Sequence, residues 1–272
     1  MVFLCLHVVL CAQAPISAKR EHATQTQKAE PAAGNAESAA FNVGKFPIGI
    51  TFDGTNIWVA NGGSNTVTKL RASDGAVVGS FDVGKFPIGV AFDGLNIWVA
   101  NGESNNLMKL RASDGAVLGS FNVGMKPSML AFDGTNIWVV NRDSDTVSKL
   151  RASDGASLGS FNVGKVPLCG AFDGANIWVT NSESDNVMKL RASDGAVLGN
   201  FKVGKAPGGV AFDGTNIWVT NEDSNNVMKL RASDGAVLDT FTVGTLPLQV
   251  TFDGKNIWVT NGRSESMSKL KR

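Results

Sequence analysis

Six aspartates recur at one spacing of forty residues, Asp53, Asp93, Asp133, Asp173, Asp213 and Asp253, and each is followed by glycine. Carboxylates gathered in a ring are hard oxygen donors suited to a divalent cation. An aspartate before glycine also accepts hydrogen bonds from the backbone of its own tight turn, a use that needs no ion, and we read the series that way. Asp143-Ser-Asp145 and Glu183-Ser-Asp185 offer further carboxylate oxygens, but without a full loop of spaced ligands they read as solvated loop acids. Cys169 has no histidine to activate it and reads as an inert small residue. Both histidines, His7 and His22, precede the aspartate series, so any general base in the body of the chain must be Asp, Glu or Lys. The expectation is no catalytic residue, no metal site and no cofactor.

The elements that carry these residues are repeats. FDGTNIWVAN, residues 52 to 61, returns in near-identical form at 92, 132, 172, 212 and 252. Within one unit, Pro87 to Gly124, turn signals separate four strand-length segments: Ile88 to Phe92, Asn96 to Asn101, Asn106 to Arg111 and Ala116 to Val123. Asp-Gly between apolar runs is a strong hairpin signal, so the unit is a four-stranded antiparallel meander. Its second strand, Ile-Trp-Val, is apolar on successive residues and must be covered on both faces. Six such sheets cover one another when packed face to face around an axis. The predicted fold is therefore all-β, a six-bladed β-propeller of four-stranded antiparallel blades over residues 41–272. Phe41-Asn42-Val43-Gly44 matches the end of a fourth strand, while Ser268-Lys269-Leu270 is a third strand. The expected ring is closed by an N-terminal strand, running from Ala36, that completes the last sheet.

Residues 2 to 12, VFLCLHVVLCA, form an apolar run followed by small residues at Ala12, Ala14, Ser17 and Ala18. Residues 1–18 read as an export signal, which implies a periplasmic or secreted protein. Residues 19–40 are rich in Ala, Gln, Glu and Pro without apolar period and read as a flexible linker. A formal charge of +1 with 18% charged residues gives no field favouring nucleic acid, and no membrane partner is expected beyond the signal segment. Lys69 and Arg71 with their repeats read as stems covering the sheet while their charges reach water; a nucleic-acid rail is the alternative. Asn61 and its repeats close the second strands and are read as ties to loop backbone.

The copies differ at one end of the ring. The turns at Asp53-Gly54 and Ser73-Asp74-Gly75 barely vary, whereas the loop after the second strand and the loop between blades diverge. The candidate ligand-binding set is an inner group, Lys45, Lys85, Lys165 and Lys205, an outer acidic group, Glu103, Asp143, Glu183 and Asp223, the aromatic residues Phe46 and Phe86, and Met129 and Gln249 at the channel mouth. Drift in loops free of packing constraints would give the same divergence. The expected function is non-catalytic binding or scaffolding on the loop-rich face by a monomer, with a protein, polymer or small molecule as ligand. The alternatives are a carboxylate- or metal-dependent lyase or lactonase at the channel mouth, and a structural or adhesion display module.

NIWVANGGSNTVTKLRASDGAVVGSFDVGKFPIGVAFDG, residues 56 to 94, resembles the forty-residue YVTN-type β-propeller repeat, with the defining phrase written IWVAN or IWVTN. The resemblance covers Phe41 to Leu270 and implies the propeller fold, more often with seven blades; relatives include exported bacterial proteins of binding or unknown role. The repeat is also similar to the propeller of the streptogramin (virginiamycin B) lyases and, more distantly, to lactonase-like propellers. Membership of the lyase group would imply a catalytic histidine paired with a carboxylate and a magnesium site, and no histidine follows His22.

Overall fold

The computed structural model describes residues 40–272. The expected signal, residues 1–18, and nearly all of the expected linker lie outside them. Strands β1 to β23 follow in chain order. Blade 1 is β1 (Pro47–Phe52), β2 (Asn56–Asn61), β3 (Thr66–Arg71) and β4 (Val77–Asp82), antiparallel neighbours in that order. The next four blades repeat it. Their innermost strands are β5 (Pro87–Phe92), β9 (Pro127–Phe132), β13 (Pro167–Phe172) and β17 (Pro207–Phe212). Blade 6 has three strands, β21 (Pro247–Phe252), β22 (Asn256–Asn261) and β23 (Ser266–Lys271).

The Asp-Gly phrase sets the first hairpin and orients the core at the same time. Asp53 Oδ1 accepts the amides of Thr55 and Asn56 at 2.9 and 2.6 Å, closing the turn, while Oδ2 accepts Trp58 Nε1 at 2.7 Å. The indole is thereby satisfied and laid flat against the sheet, where its ring stacks on Phe81 at 5.5 Å. Trp58, Trp98, Trp138, Trp178 and Trp218 are essentially fully buried. Each contributes about 3 kcal/mol of apolar burial.

One packing pattern recurs between blades. At the first interface Trp58, Ala60 and Val67 of blade 1 meet Val90, Ile97, Val99 and Leu110 of blade 2. The last one sets Ala211, Trp218 and Val227 against Val250, Ile257 and Val259. Innermost strands approach so closely that a Cβ at Gly89 would collide with the carbonyl of Ser128. Lys69, expected to hold its charge in water, is only 5% exposed. Its Nζ lies 5.1 Å from the centre of the Trp58 ring and donates to the carbonyls of Ala112 and Ser113 at 2.7 and 3.1 Å. Lys69, Lys109, Lys149 and Lys189 therefore lock each of blades 1 to 4 to the turn of the next, and Arg71, paired with Asp74 at 2.8 Å, is the member left in solvent. A nucleic-acid rail loses its lysines.

Among the described residues the expected closing strand is not present. Ala40 to Gly44 are not in a strand and the β21–β23 sheet gains no fourth member; residues 36–39 of that expectation lie outside the described residues. Innermost strands pack in series, β1 on β5 and so on to β17 on β21, and no comparable packing joins β21 to β1. Ile50 and Phe52 on one end and Met267 on the other are 63%, 53% and 61% exposed. Among the described residues the blades thus form an open arc whose first and last faces are uncovered.

Candidate functional site

Each blade sends two connections to each end of the arc. On one end the β1–β2 and β3–β4 turns are bound to each other, Ala72 N donating to Thr55 O at 3.1 Å. The six Asp-Gly carboxylates bind their own turns and tryptophans, and Asp213 also lies 3.5 Å from Arg272 Nε. Burial raises the pKa of Asp53 and Asp213, but the indole and amide donors outweigh it and hold both carboxyls below the ordinary aspartate value. This accounts for the invariance of these turns: the chemistry of the aspartate is consumed by the fold.

The other end carries the β2–β3 loops and the inter-blade loops. Gly62 N and Gly63 N donate to Phe46 O and Lys45 O at 2.9 and 3.0 Å, and Ser64 Oγ accepts Lys45 N at 2.6 Å. A further latch spans blades: Asn65 Oδ1 accepts Phe86 N at 2.9 Å, and Asn105, Asp145, Asp185 and Asn225 repeat it. Phe46, Phe86, Lys126, Val166, Ala206 and Leu246 all take positive φ between 48° and 56° directly before proline. Non-glycine residues held there store backbone strain of about 1 kcal/mol each. Neither the latch nor the strain is visible in the spelling of the loops; the recurrent Asn or Asp before the third strand was the available signal.

Lys45, Lys85, Lys165 and Lys205 are exposed on this end, as are Glu103, Asp143, Glu183 and Asp223. The expected separation into a basic and an acidic set is incomplete. Lys165 pairs with Asp145 at 2.7 Å and Asp143 with Lys126 at 2.9 Å. Lys45, Lys85 and Lys205 enter no ion pair among the described residues. Met129, expected at the mouth, is only 4% exposed and packs in the cluster that contains Cys169. Cys169 is fully buried in that same cluster. Gln249 is half-buried, and its side-chain amide has no hydrogen-bond partner among the described residues. Asn61 Nδ2 reaches Thr66 Oγ1 and Thr68 Oγ1 at 3.2 and 2.9 Å, so it ties the next strand instead of loop backbone.

The structure brings four of the expected residues together at the junction of blades 1 and 2. The Phe46 and Phe86 rings lie 5.8 Å apart at 36°, with Lys45 and Lys85 beside them in sequence. Gly62 lies beside them: a Cβ there would meet both rings at an ordinary contact distance of 3.4 Å and would crowd Ile48 at 2.9 Å. At that position blades 2 and 6 keep glycine, Gly102 and Gly262, and blades 3 to 5 carry Arg142, Ser182 and Glu222; among the described residues no second pair joins successive inter-blade loops.

Among solved structures, the chain is similar to a streptogramin B lyase, with a TM-score of 0.70 and 18% identity over 84% of each chain. It is similar to virginiamycin B lyase from Staphylococcus aureus, with a TM-score of 0.69 and 16% identity over 84% of this chain and 85% of that one. A functionally unknown protein from Desulfotomaculum acetoxidans gives a TM-score of 0.69 at 13% identity over 80% and 79%. No protein-family description and no curated protein matches the sequence. At these identities the likeness is one of fold: the chain is an all-β propeller of six sheets similar to the lyase propellers.

Proposed function

We propose that the protein is a non-catalytic propeller of the YVTN repeat type, exported by its first eighteen residues to the periplasm or exterior, and that it binds through its loop-rich end. The observation that carries this reading is the Phe46–Phe86 pair, 5.8 Å apart and flanked by Lys45 and Lys85, on an end whose other copies lack it. Two tilted rings beside ammonium groups that enter no ion pair suit a ligand with a flat apolar surface and negative charge, an acidic polymer or peptide. The turn end offers no comparable group, since its repeated carboxylates are committed to their own turns.

The experiment is a glycan and peptide array screened with the wild type and with Phe46→Ala/Lys85→Glu. Capture of an anionic ligand by the wild type and its loss in the variant, at unchanged melting temperature, supports the reading; equal capture by both refutes the site. The enzyme alternative keeps one supporting observation, the fold shared with streptogramin lyases. It is tested by incubating the protein with a streptogramin B and magnesium. We expect no ring opening, because the array lacks histidine. Turnover would overturn the non-catalytic assignment.

A further inference from the structure

We propose that the protein associates with further copies of itself head to tail, the uncovered face of blade 6 docking on the uncovered face of blade 1 of a second copy. This concerns the exposed faces of blades 1 and 6 and does not rest on the loop-end reading; Lys45 and Phe46 border both, whereas Ile50 and Met267, which carry the first test, lie outside the loop-end site.

The repeat itself specifies the fit. Every internal interface joins the trailing face of one blade to the leading face of the next, and the two end faces are one unpaired copy of each. Trp258 holds the place of Trp58, yet it lacks the phenylalanine that the other five tryptophans stack on. Phe41 is the missing ring at the other end. It lies over Gly75 as Phe81 lies over Gly115, in the position of a preceding blade's fourth strand, but has no tryptophan beneath it and is 50% exposed. Val67 pairs with Phe81 within blade 1, so the same register on β23 sets Met267 opposite Phe41 of the second copy.

Polar groups at the two ends are complementary in the same register. Lys269 sits 5.0 Å over Trp258, as its repeats do, but is exposed and donates to no carbonyl among the described residues. Ala72 O and Ser73 O, the equivalents of the carbonyls that Lys69 binds, receive no lysine. Glu265 holds the place of Asp145, whose carboxylate accepts Val166 N at 2.9 Å and pairs with Lys165 at 2.7 Å. The corresponding groups of a second copy are Phe46 N and Lys45, neither of which has such a partner. Aromatic, aliphatic, lysine and carboxylate contacts would all be restored by one operation. A contact between different faces of identical chains is heterologous, so it propagates into a ring or a filament.

The test uses Ile50→Asp, which spoils the leading face, and Met267→Asp, which spoils the trailing face; both side chains are more than half exposed, so neither change disturbs folding. In sedimentation velocity the mature wild type is expected to grow in mass with concentration, each variant alone to remain monomeric, and an equimolar mixture to form a discrete one-to-one dimer through its one intact pair of faces. Lys45→Glu or Glu265→Lys alone should weaken assembly and the double exchange restore it. A wild type that stays monomeric throughout overturns the proposal, including the case in which both variants melt earlier because the ends close within one chain. A mixture that forms no dimer, or a single variant that dimerises with itself, also overturns it.

Discussion

The two ends of the arc are built from the same number of connections, yet they treat their polar groups in opposite ways. At the turn end a carboxylate such as Asp213 is buried and accepts Thr215 N, Asn216 N and Trp218 Nε1 at 2.8, 2.7 and 2.8 Å. At the loop end Lys45 and Lys85 are exposed and enter no ion pair, beside an aromatic pair seen at one junction only. The lesson is that at the turn end the repeated carboxylates are used up by folding, whereas part of the varied loop end is left available.

The largest expected effect that sharpens this contrast is Asp213→Ala. It leaves an indole and two amides without an acceptor and should cost about 3 kcal/mol in denaturant unfolding without altering ligand capture. Asp253→Ala, whose carboxylate is exposed on the end blade, should cost less. Equal losses would mean that burial does not set the strength of the turn. Next is Lys149→Met: Lys149 Nζ donates to Ala192 O and Ser193 O at 2.6 and 2.9 Å while buried at the blade interface. Its loss should cost about 2 kcal/mol. An unchanged unfolding midpoint would remove the lysine lock from the account.

Acid provides a third test. Asp53 and Asp213 are held below the ordinary aspartate value, so between their folded and unfolded pKa values the unfolded chain binds more protons. Their stabilisation is complete above the unfolded value of about 3.9 and is lost as pH falls through the folded values. The melting temperature should therefore fall below about pH 4, and less steeply in Asp213→Asn. A parallel fall in both proteins would contradict the assignment. The smallest expected effect is at the loop end, where Phe46→Ala/Lys85→Glu should change stability by about 0.5 kcal/mol or less.

The sheets were legible because every signal that makes them is local and repeated: Asp-Gly turns, the doubly apolar Ile-Trp-Val strand and the forty-residue period. Closure was not legible. Phe41 does take the place of a fourth-strand phenylalanine against blade 1, over Gly75, but among the described residues no strand pairs with β23 beyond β22. Curvature depends on how each blade sits on the next, and no residue spells it. Among site residues, Phe46 and Phe86 were found from sequence by type alone. Their pairing depends on how blade 2 sits on blade 1, which brings two successive inter-blade loops together with the rings 5.8 Å apart. Met129 was misplaced for a related reason: variation at its position reflects how neighbouring innermost strands fit, with Gly89 in contact with β9 and Met129 buried. Lys69 misled because a lysine between Thr68 and Leu70 looks like an exposed rung, whereas its partners are carbonyls on the next blade.

The central claim is that binding belongs to the loop end. It is tested most directly by measuring the affinity of the array-captured ligand for two matched surface variants, Phe46→Ala/Lys85→Glu on the loop end and Thr135→Glu/Ser153→Glu on the turn end. The account expects a loss of roughly tenfold or more in the first and none in the second, with similar melting temperatures in both. An affinity that falls only in the turn-end variant would contradict it.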